Sequence, residues 1–521
     1  MSSSSTGGHL HEGPPDTKLD RHVIMVAGVV VLGAIMSILD VTVVAVAQNT
    51  FMTTFGTDAA GAAWTATGYT LALAAVIPIS SWAAAKFGTK KVYLTSLVLF
   101  VAGSALCAMA TSIGMLVAFR VVQGLGGGLL MPIGMMILTK AAGPERVGSV
   151  MAILGIPMLL GPIGGPILGG WLIEIASWHW VFLINVPIGV VAFIYAWFVL
   201  RDDAETSPAK IDVVGLLLLS PGLALFLYGI SSSAEHRTFV HAGVLIPVAI
   251  GLVLIAAFIW HALRAERPLL DLRLFQNKTL TIAVITMTFF MIAFFGASLL
   301  YPQYFIGVRG ESTLMAGLLL APQGLGAMLT MPIAGQLTDK MGPGKFVLSG
   351  IVLIFVGLGA FMFLGADTSY WLICIALFIQ GLGMGMTMMP IMSSALATLR
   401  NNKVPDGSTL LNVVQQSASS VGTAIISVIL ATLLTNRPDG GLAIASNADP
   451  EGYAKAVEAG AAPAQVPSSA FDAAAEAFST TFIVSVVLIA ITVIPAFFLP
   501  RKKIVSPLVE EDMDRVPTIM H

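Results

Sequence analysis

The sequence predicts an all-α polytopic membrane protein whose fourteen transmembrane helices are grouped as six, two and six (6+2+6). Only 10% of its 521 residues are charged, whereas a soluble domain usually carries about a quarter. Its apolar residues are gathered in runs of about 20, long enough for a helix to cross a hydrocarbon core of roughly 30 Å. An internal repeat sets the grouping of these runs. The composition excludes a soluble enzyme, a disordered scaffold and a nucleic-acid-binding protein.

Fourteen apolar runs follow one another along the chain and are separated by polar connections. Membrane β-strands would alternate in polarity over about ten residues, so we expect each run to be a helix. The predicted spans are 23–47, 64–85, 92–110, 113–139, 147–172, 181–200, 213–232, 242–262, 280–302, 314–337, 346–366, 371–394, 409–434 and 479–499.

The distribution of basic residues predicts the orientation of the spans. An even number of spans places both termini on one side of the membrane. If that side is the cytoplasm, 21 of the 26 Lys and Arg residues lie in cytoplasmic segments, four lie in outer loops and Arg120 lies within a span. Cytoplasmic loops carry an excess of Lys and Arg. We therefore expect both termini to be cytoplasmic.

Two parts of the chain resemble each other at a separation of about 254 residues. The matches at that offset are Pro78, Lys86 and Gly88 with Pro332, Lys340 and Gly342. The segment 123–126 recurs as 380–383, at an offset of 257, and both copies are followed by Met-Pro-Ile. Spans 1–6 and 9–14 are therefore parallel repeats, an organisation described for a large class of secondary transporters.

These patterns divide the chain into five parts. The predicted parts are a disordered cytoplasmic tail (1–22), a six-helix bundle (23–200), two inserted helices (213–262), a second six-helix bundle (280–499) and a cytoplasmic tail (500–521). The second bundle includes a long outer loop, 435–478, rich in Ala, Gly and Pro. We interpret this loop as a linker-like cap, with a role in substrate gating as the alternative.

The sequence lacks the motifs of a nucleotide-driven or metal-dependent protein. No G-x-x-x-x-G-K-[ST] motif occurs, and this motif is the usual phosphate cradle. The glycine run at 124–128 lies in a predicted span, where it favours close helix packing. Cys107 and Cys374 are isolated in apolar runs, so no metal site is expected. We expect no enzymatic activity and no cofactor, with an ion gradient as the energy source.

Two charged residues, Asp40 and Arg120, lie well inside predicted spans. A charge at the bilayer centre costs about 2.5–3.5 kcal/mol on translocon scales, so a functional role is the default interpretation. Asp40 is the only carboxylate deep enough to carry a proton, and a structural hydrogen-bonding role is the alternative. Arg120 keeps its charge and is interpreted as the anchor of a polar network that includes Gln123, or else as a structural partner of backbone carbonyls.

The predicted fifth span carries a repeated Gly-Pro pattern. Glycines at every fourth position leave one helix face without side chains, and prolines free backbone carbonyls and bend the helix. The pattern predicts a seam at which two helices rock against each other, with ordinary tight packing as the alternative. The seam residues are Gly161, Pro162, Gly165, Pro166, Gly169 and Gly170.

Two further groups of residues are candidates for function. Short basic turns with a central glycine are interpreted as cytoplasmic gating loops, although they also serve as topology determinants. Their residues are Lys86, Gly88, Lys90, Asp339, Lys340 and Gly342. Polar side chains within or beside the spans are candidates for lining a substrate cavity, and we single out Asn185, Gln323, Asn412 and Gln415.

Four segments together carry a family resemblance. They are 39–44 (Leu-Asp-Val-Thr-Val-Val), 120–124 (Arg-Val-Val-Gln-Gly), the Gly-Pro series 161–170, and 177–189, which begins Ser-Trp-His-Trp. Each occurs in order and on the expected span. The sequence resembles the major facilitator superfamily, and within it the fourteen-span drug:proton antiporters of the EmrB/QacA type, over residues 23–500.

This resemblance implies proton-coupled efflux of hydrophobic or amphipathic drugs, by alternating access, across a bacterial inner membrane. The implied partners are the lipid bilayer, protons and small substrates, and nucleic acid is not among them; whether a periplasmic adaptor takes part is left open. The sequence departs from the family pattern at Ala85, where Asp is usual, at Ala45, where Asn is usual, and at His179, where Arg is common.

Two alternatives to multidrug efflux remain at this stage. One is an exporter of the same fold with a single physiological cargo, such as a lipid, a siderophore or an endogenous antibiotic. The other is a non-transporting membrane sensor. The second is disfavoured because the predicted spans hold no histidine cluster and no nucleophile–base arrangement.

Overall fold

A computed structural model describes residues 20–57, 59–143, 146–203, 210–400 and 403–502. All the regular elements in these ranges are helices. The two predicted tails lie almost wholly outside the described residues, which include only 20–22 and 500–502 of them. Several side chains of the fifth span, including those of Pro162 and Pro166, also lie outside the description.

The helices follow the predicted spans closely. In the described residues the α-helices are α1 (Arg21–Phe55), α2 (Ala59–Val76), α3 (Ser80–Phe87), α4 (Thr89–Ala108), α5 (Ile113–Ala142), α6 (Val147–Ile175), α7 (His179–Leu183), α8 (Asn185–Val199), α9 (Val213–His236), α10 (Ala242–Arg264), α11 (Lys278–Gly307), α12 (Thr313–Met341), α13 (Pro343–Gly359), α14 (Tyr370–Ala397), α15 (Val404–Thr435), α16 (Pro438–Ala448), α17 (Pro450–Glu458) and α18 (Ser468–Ala496).

The predicted all-α polytopic fold is confirmed. Thirteen continuous helical segments in the described residues are long and apolar enough to cross a membrane. Three of them join two elements: α2 continues into α3 through a 3-10 turn at Ile77–Ile79, α7 continues into α8, and α13 continues into a 3-10 turn at Ala360–Phe363. The remaining predicted span corresponds to α6, an unbroken helix of 29 residues. Which side of the membrane the termini occupy stays a prediction.

The predicted outer loop differs from the structure in its bounds. The structure places α16 and α17 within 435–478 and starts α18 at Ser468, eleven residues before the predicted start of the last span. The loop packs on the second half of the chain, because Asn447 Nδ2 donates to the Gly307 carbonyl oxygen at 3.1 Å. Arg437 also pairs with Glu476 at 2.6 Å. These contacts make the segment a packed cap rather than a free linker.

The backbone geometry agrees with the internal repeat. Gly88 and Gly342, which match at the offset of 254, have φ of +85° and +88° and ψ of 149° and 152°. Residues with a side chain rarely adopt this backbone conformation, so glycine is required at both turns. Each glycine ends one helix and starts the next, joining α3 to α4 and α12 to α13.

The two six-span halves meet at the end of the molecule that carries Lys86 and Lys340, called here the basic end. Ser80 Oγ of α3 lies 2.7 Å from Thr409 Oγ1 of α15. The carboxylate of Asp339, at the end of α12, accepts a hydrogen bond from the Gly148 N–H at the start of α6, at 2.8 Å. These contacts position the candidate site, since they close the space between the halves on that side.

Candidate functional site

The two charged residues predicted inside spans form one buried ion pair. Asp40 lies on α1 and Arg120 lies on α5, and both are almost fully buried. Arg120 Nη1 donates to Asp40 Oδ2 and also to Gln123 Oε1, the latter at 2.7 Å. Gln123 Nε2 donates to Asp40 Oδ1 at 2.7 Å. The spacing of three residues on α5 places Arg120 and Gln123 on one helix face, so both reach the same carboxylate.

Residues from three further helices complete this cluster, called here the Asp40 cluster. Asn185 Nδ2, at the start of α8, donates to Asp40 Oδ1 and to Ser104 Oγ of α4, each at 3.1 Å. Gln123 Nε2 donates to Ser104 Oγ at 2.5 Å. Arg120 Nε donates to the Thr65 carbonyl oxygen of α2 at 2.9 Å. The cluster therefore ties together five helices of the first half.

Aromatic rings enclose the guanidinium of Arg120. Its central carbon lies 4.1 Å from the ring centroid of Tyr69 and 5.8 Å from that of Phe182. Guanidinium groups are attracted to aromatic faces, and the more so when both are removed from water. Among the described residues, Arg120 Nη2 has no hydrogen-bond partner. Asp40 supplies the counter-charge and the rings add cation–π attraction, so together they stabilise a charge that would otherwise be costly to bury.

Glycines let the surrounding helices approach α5 closely enough to form the cluster. A Cβ at Gly103 of α4 would lie 2.6 Å from the backbone of Gln123, and one at Gly124 would lie 2.5 Å from the Tyr69 carbonyl oxygen. Distances under about 3 Å are not found for real side chains, so these sites accept only glycine. The glycine run predicted as a packing site is therefore what brings α2 and α4 against α5.

A cavity of 270 Å³ lies between the two halves, on α1, α2, α5, α11 and α15. Two of the four residues predicted to line a cavity, Asn412 and Gln415, line this one. The other two lie elsewhere. Asn185 belongs to the Asp40 cluster, and Gln323 lies where α12 meets the Gly381 backbone of α14, with its Nε2 buried and without a partner among the described residues.

The cavity connects to the Asp40 cluster through two residues that sequence reasoning missed. Ser37 lines the cavity, and its Oγ lies 3.1 Å from the Tyr69 hydroxyl. Tyr69 in turn stacks on Arg120. Ser37 precedes Asp40 by three residues on α1, and that spacing is the sequence signal that places both on neighbouring positions of one helix face.

The predicted Gly-Pro seam packs against α1. Cβ atoms at Gly161, Gly165 and Gly169 would meet Ile38, Thr42 and Val43, respectively, and Thr42 Oγ1 donates to the Gly161 carbonyl oxygen at 3.1 Å. Gly170 differs, because a Cβ there would find open space. The seam therefore joins α6 to the helix that carries Asp40, within the first half.

The predicted gating loops take different partners in the two halves. Asp339 accepts hydrogen bonds from the Gly148 N–H and, at 3.0–3.1 Å, from the N–H and hydroxyl of Ser149, so its charge lies at the N-terminus of α6. Such a position is favourable because the helix dipole is positive there. In the first half, where Ala85 replaces the usual Asp, the Asp203 carboxylate instead accepts from the Thr89 N–H and hydroxyl at the start of α4.

The remaining loop residues are at the surface of the basic end. Lys86 Nζ lies 5.0 Å from the ring centroid of Trp82, and Lys90 Nζ lies 5.7 Å from that of Trp197. Lys340 is exposed in the last turn of α12. These positions suit lysines that contact the membrane interface, because their stems cover apolar surface while their charges stay in water.

A segment that sequence reasoning did not single out, residues 265–277 after α10, joins the two halves at the basic end. Ser81 Oγ of α3 donates to the Leu269 carbonyl oxygen at 3.3 Å, and the Leu269 N–H donates to Asp212 at 3.0 Å. Asp271 pairs with Lys403, just before α15, at 2.6 Å. Partial burial acts to raise the pKa of Asp271, but hydrogen bonds from Lys403 and the Arg273 N–H outweigh it and lower that pKa.

Comparison with known proteins agrees with this architecture. The family model of the Major Facilitator Superfamily matches residues 30–423. This chain belongs to the major facilitator superfamily. It is 46% identical over 497 residues to a multidrug resistance protein B homolog of Mycobacterium tuberculosis, covering 94% of this chain and 92% of that protein. It is 31% identical over 420 residues to the putative multidrug resistance protein MdtD of Yersinia enterocolitica, covering 78% and 87%.

Solved structures share the fold at low sequence identity. The proton:xylose symporter XylE superposes with a TM-score of 0.56 at 13% identity, covering 91% of this chain and 96% of that one. The human organic anion transporter MFSD10 superposes with a TM-score of 0.58 at 14% identity, covering 92% and 100%. The superfamily member described here is a multi-pass membrane transporter and not an enzyme.

Proposed function

We propose that this transporter exports hydrophobic or amphipathic drugs from bacteria, across the inner membrane, in exchange for protons. The observation that carries the proposal is the Asp40 cluster. Asp40 is a carboxylate buried deep in the membrane-spanning bundle, and Ser37 and Tyr69 link its cluster to the cavity between the halves. The multidrug-resistance names of the relatives and the resemblance to EmrB/QacA-type antiporters support drugs as the cargo.

The cluster offers a mechanism for proton coupling. When Asp40 takes up a proton, its carboxylate loses the charge that holds Arg120. The guanidinium then keeps Gln123 and the Thr65 carbonyl as partners, and its contact with the ring of Tyr69 changes with its position. Because the Tyr69 hydroxyl also contacts Ser37 at the cavity wall, protonation at Asp40 changes the surface that a substrate meets.

Alternating access follows from where the halves touch. Their contacts gather at the basic end, around Ser80–Thr409 and Asp339–Gly148. With the orientation that the basic residues predict, this end faces the cytoplasm and the cavity is closed on that side. Opening the basic end and closing the opposite end moves the cavity from one side of the membrane to the other.

Proton-driven drug uptake into inside-out vesicles tests the proposal. We expect Asp40→Asn to abolish uptake driven by a proton gradient, since Asn cannot bind and release a proton. Glu174→Gln is the matched control, because Glu174 is an exposed carboxylate at the far end of α6. Wild-type, pH-dependent uptake by Asp40→Asn would refute Asp40 as the coupling site. A panel of drugs in the same assay separates multidrug export from export of one cargo.

A further inference from the structure

The wall of the cavity between the halves is uncharged. Every residue described as lining it is apolar, a glycine, or a neutral hydroxyl or amide residue. The side chains of α6 that lie outside the description cannot add a charge, because the sequence has no ionisable residue between Val147 and Trp171. Among the residues that the structure describes, a ligand in this cavity therefore finds no carboxylate and no cation to pair with.

Ser37 and Thr42 of α1 add two hydroxyls to the wall, but all of its amide groups lie on one stripe of α15. Asn412, Gln415, Gln416 and Ser419 recur at helical spacing and therefore share a face. Within the described part of the chain, Asn412 Nδ2 donates to the Ser408 carbonyl oxygen, whereas the side-chain amides of Gln415 and Gln416 form no hydrogen bond. Each of these two amides keeps donors and an acceptor for a ligand.

The opposite wall is mainly apolar. It is formed by Ile38 and Val41 of α1, Leu73 of α2, Ile77 of the 3-10 turn after α2, and Met131 of α5, and Phe295 of α11 adds an aromatic ring to the cavity. A ligand that fits both walls has an apolar body and hydrogen-bonding groups along one edge. A charged ligand would lose its hydration without a compensating partner, which is unfavourable.

The charges of the Asp40 cluster do not serve such a ligand. Asp40 and Arg120 are directed to each other and into the first half, and Ser37 and Tyr69 lie between them and the cavity. Pairing a ligand cation with Asp40 would leave Arg120 buried without its counter-charge. Breaking a buried pair in this way is costly.

We infer that the cavity selects uncharged amphipathic molecules, with amide, carbonyl or hydroxyl groups along one edge, and excludes permanent cations. This inference rests on the proposed function and narrows it to a substrate class. The amides of Gln415 and Gln416 recognise the polar edge, and the apolar wall of α1, α2 and α5 receives the body.

Two fluorescent dansyl sulfonamides of matched shape test the inference. The neutral probe ends in a tert-butyl group and the cationic probe ends in a trimethylammonium group. We measure the binding of each to the full-length protein in detergent, and the uptake of each into inside-out vesicles. We expect the neutral probe to bind at least about tenfold more tightly than the cationic probe. The reason is that the cation loses its hydration in the cavity and gains no partner there.

A carboxylate introduced into the stripe should change this preference. Gln415→Glu should bind the cationic probe more tightly than the wild type does. Gln303→Glu is the matched control, because Gln303 is exposed on α11 and lines a separate cavity beside α9 and α16; it should leave both affinities unchanged. The wild-type comparison stands by itself if either variant fails to fold.

The outcomes separate this inference from the proposed function. If the wild type binds the cationic probe as tightly as the neutral probe, or more tightly, the inference is overturned. The proposed function still stands in that case, provided that proton-driven drug uptake is observed. An unchanged cation affinity in a folded Gln415→Glu protein also overturns it, because the amide stripe would then not contact the ligand. Failure of proton-driven uptake for every drug tested overturns the proposed function itself.

Discussion

Asp40 accepts hydrogen bonds from Arg120, Gln123 and Asn185, so its charge is satisfied without water. This arrangement explains how a carboxylate can lie in the centre of an apolar bundle. Removing one partner of a buried pair typically costs about 3–5 kcal/mol, whereas replacing both partners by neutral groups costs much less. The pair therefore makes a specific prediction about stability.

We expect Arg120→Met to lower the thermal stability of the detergent-purified protein strongly, because it leaves Asp40 buried and unpaired. The double variant Arg120→Met with Asp40→Asn should recover much of that loss, since no uncompensated charge remains. The two single variants and the double variant form a cycle that isolates the pair. If the change in melting temperature of the double variant equals the sum of the changes in the two single variants, the ion pair is not the source of the effect.

At the scale of the helix, α1 and α6 approach each other through glycine. A side chain at Gly165 would collide with Thr42. The hydroxyl of Thr42 also donates a hydrogen bond to the Gly161 carbonyl oxygen at 3.1 Å. Three glycines and one threonine hydroxyl at such a contact are typical of membrane helix pairs, where small residues let backbones approach closely.

We expect Gly165→Leu to abolish transport while the protein still inserts into the membrane. The added side chain separates α6 from α1 and so displaces Asp40. Gly170→Leu, five residues further on, should transport normally because its side chain would extend into open space. Vesicle uptake, corrected for the amount of protein inserted, provides the measurement. Normal uptake by Gly165→Leu would contradict a packing role for the seam.

The segment 265–277 should loosen at low pH. The lowered pKa of Asp271 means that its pair with Lys403 is fully present above the ordinary Asp pKa and is lost as pH falls through the lowered value. We expect protease access to this segment to rise at acidic pH. Asp271→Asn should show high access at every pH, and an unchanged pH profile in that variant would refute the assignment.

At the scale of the whole molecule, the two halves are held together at the basic end by a small number of polar contacts. One of these contacts involves a charge: the carboxylate of Asp339, in the second half, accepts hydrogen bonds at the N-terminus of α6, in the first half. A charge at a helix terminus contributes about 0.3–1 kcal/mol, or up to about 2 kcal/mol when partly buried. That range is enough to change the populations of two states several-fold.

We expect Asp339→Asn to increase the population in which the basic end is open. Distances between spin labels on α3 and α15, measured by pulsed electron paramagnetic resonance, should be longer in a fraction of the molecules. Asp203→Asn serves as the comparison, because Asp203 accepts a hydrogen bond from Thr89 within the first half, and this bond does not link the two halves. Identical distance distributions for Asp339→Asn and the wild type would contradict the role of this contact.

Sequence reasoning succeeded where a pattern is local or repeats along the chain. Apolar runs located the spans, and the offset of 254 found the matched turns at Gly88 and Gly342, whose backbone angles agree. It did not predict that Asn185 joins the Asp40 cluster, because whether a polar side chain faces a cavity or another helix depends on helix rotation. It missed Ser104, since a single serine in an apolar run carries no periodic signal.

The sequence by itself determined the all-helical membrane fold, the repeat and the identity of the two charges inside spans, because the bilayer penalises charge and unpaired backbone wherever they occur. Only the tertiary structure decided that Asp40 and Arg120 face each other and that the described residues of the cavity wall between the halves are uncharged. Residues 80 positions apart meet only when five helices pack, and the rotation of each helix depends on side-chain contacts that no local pattern contains.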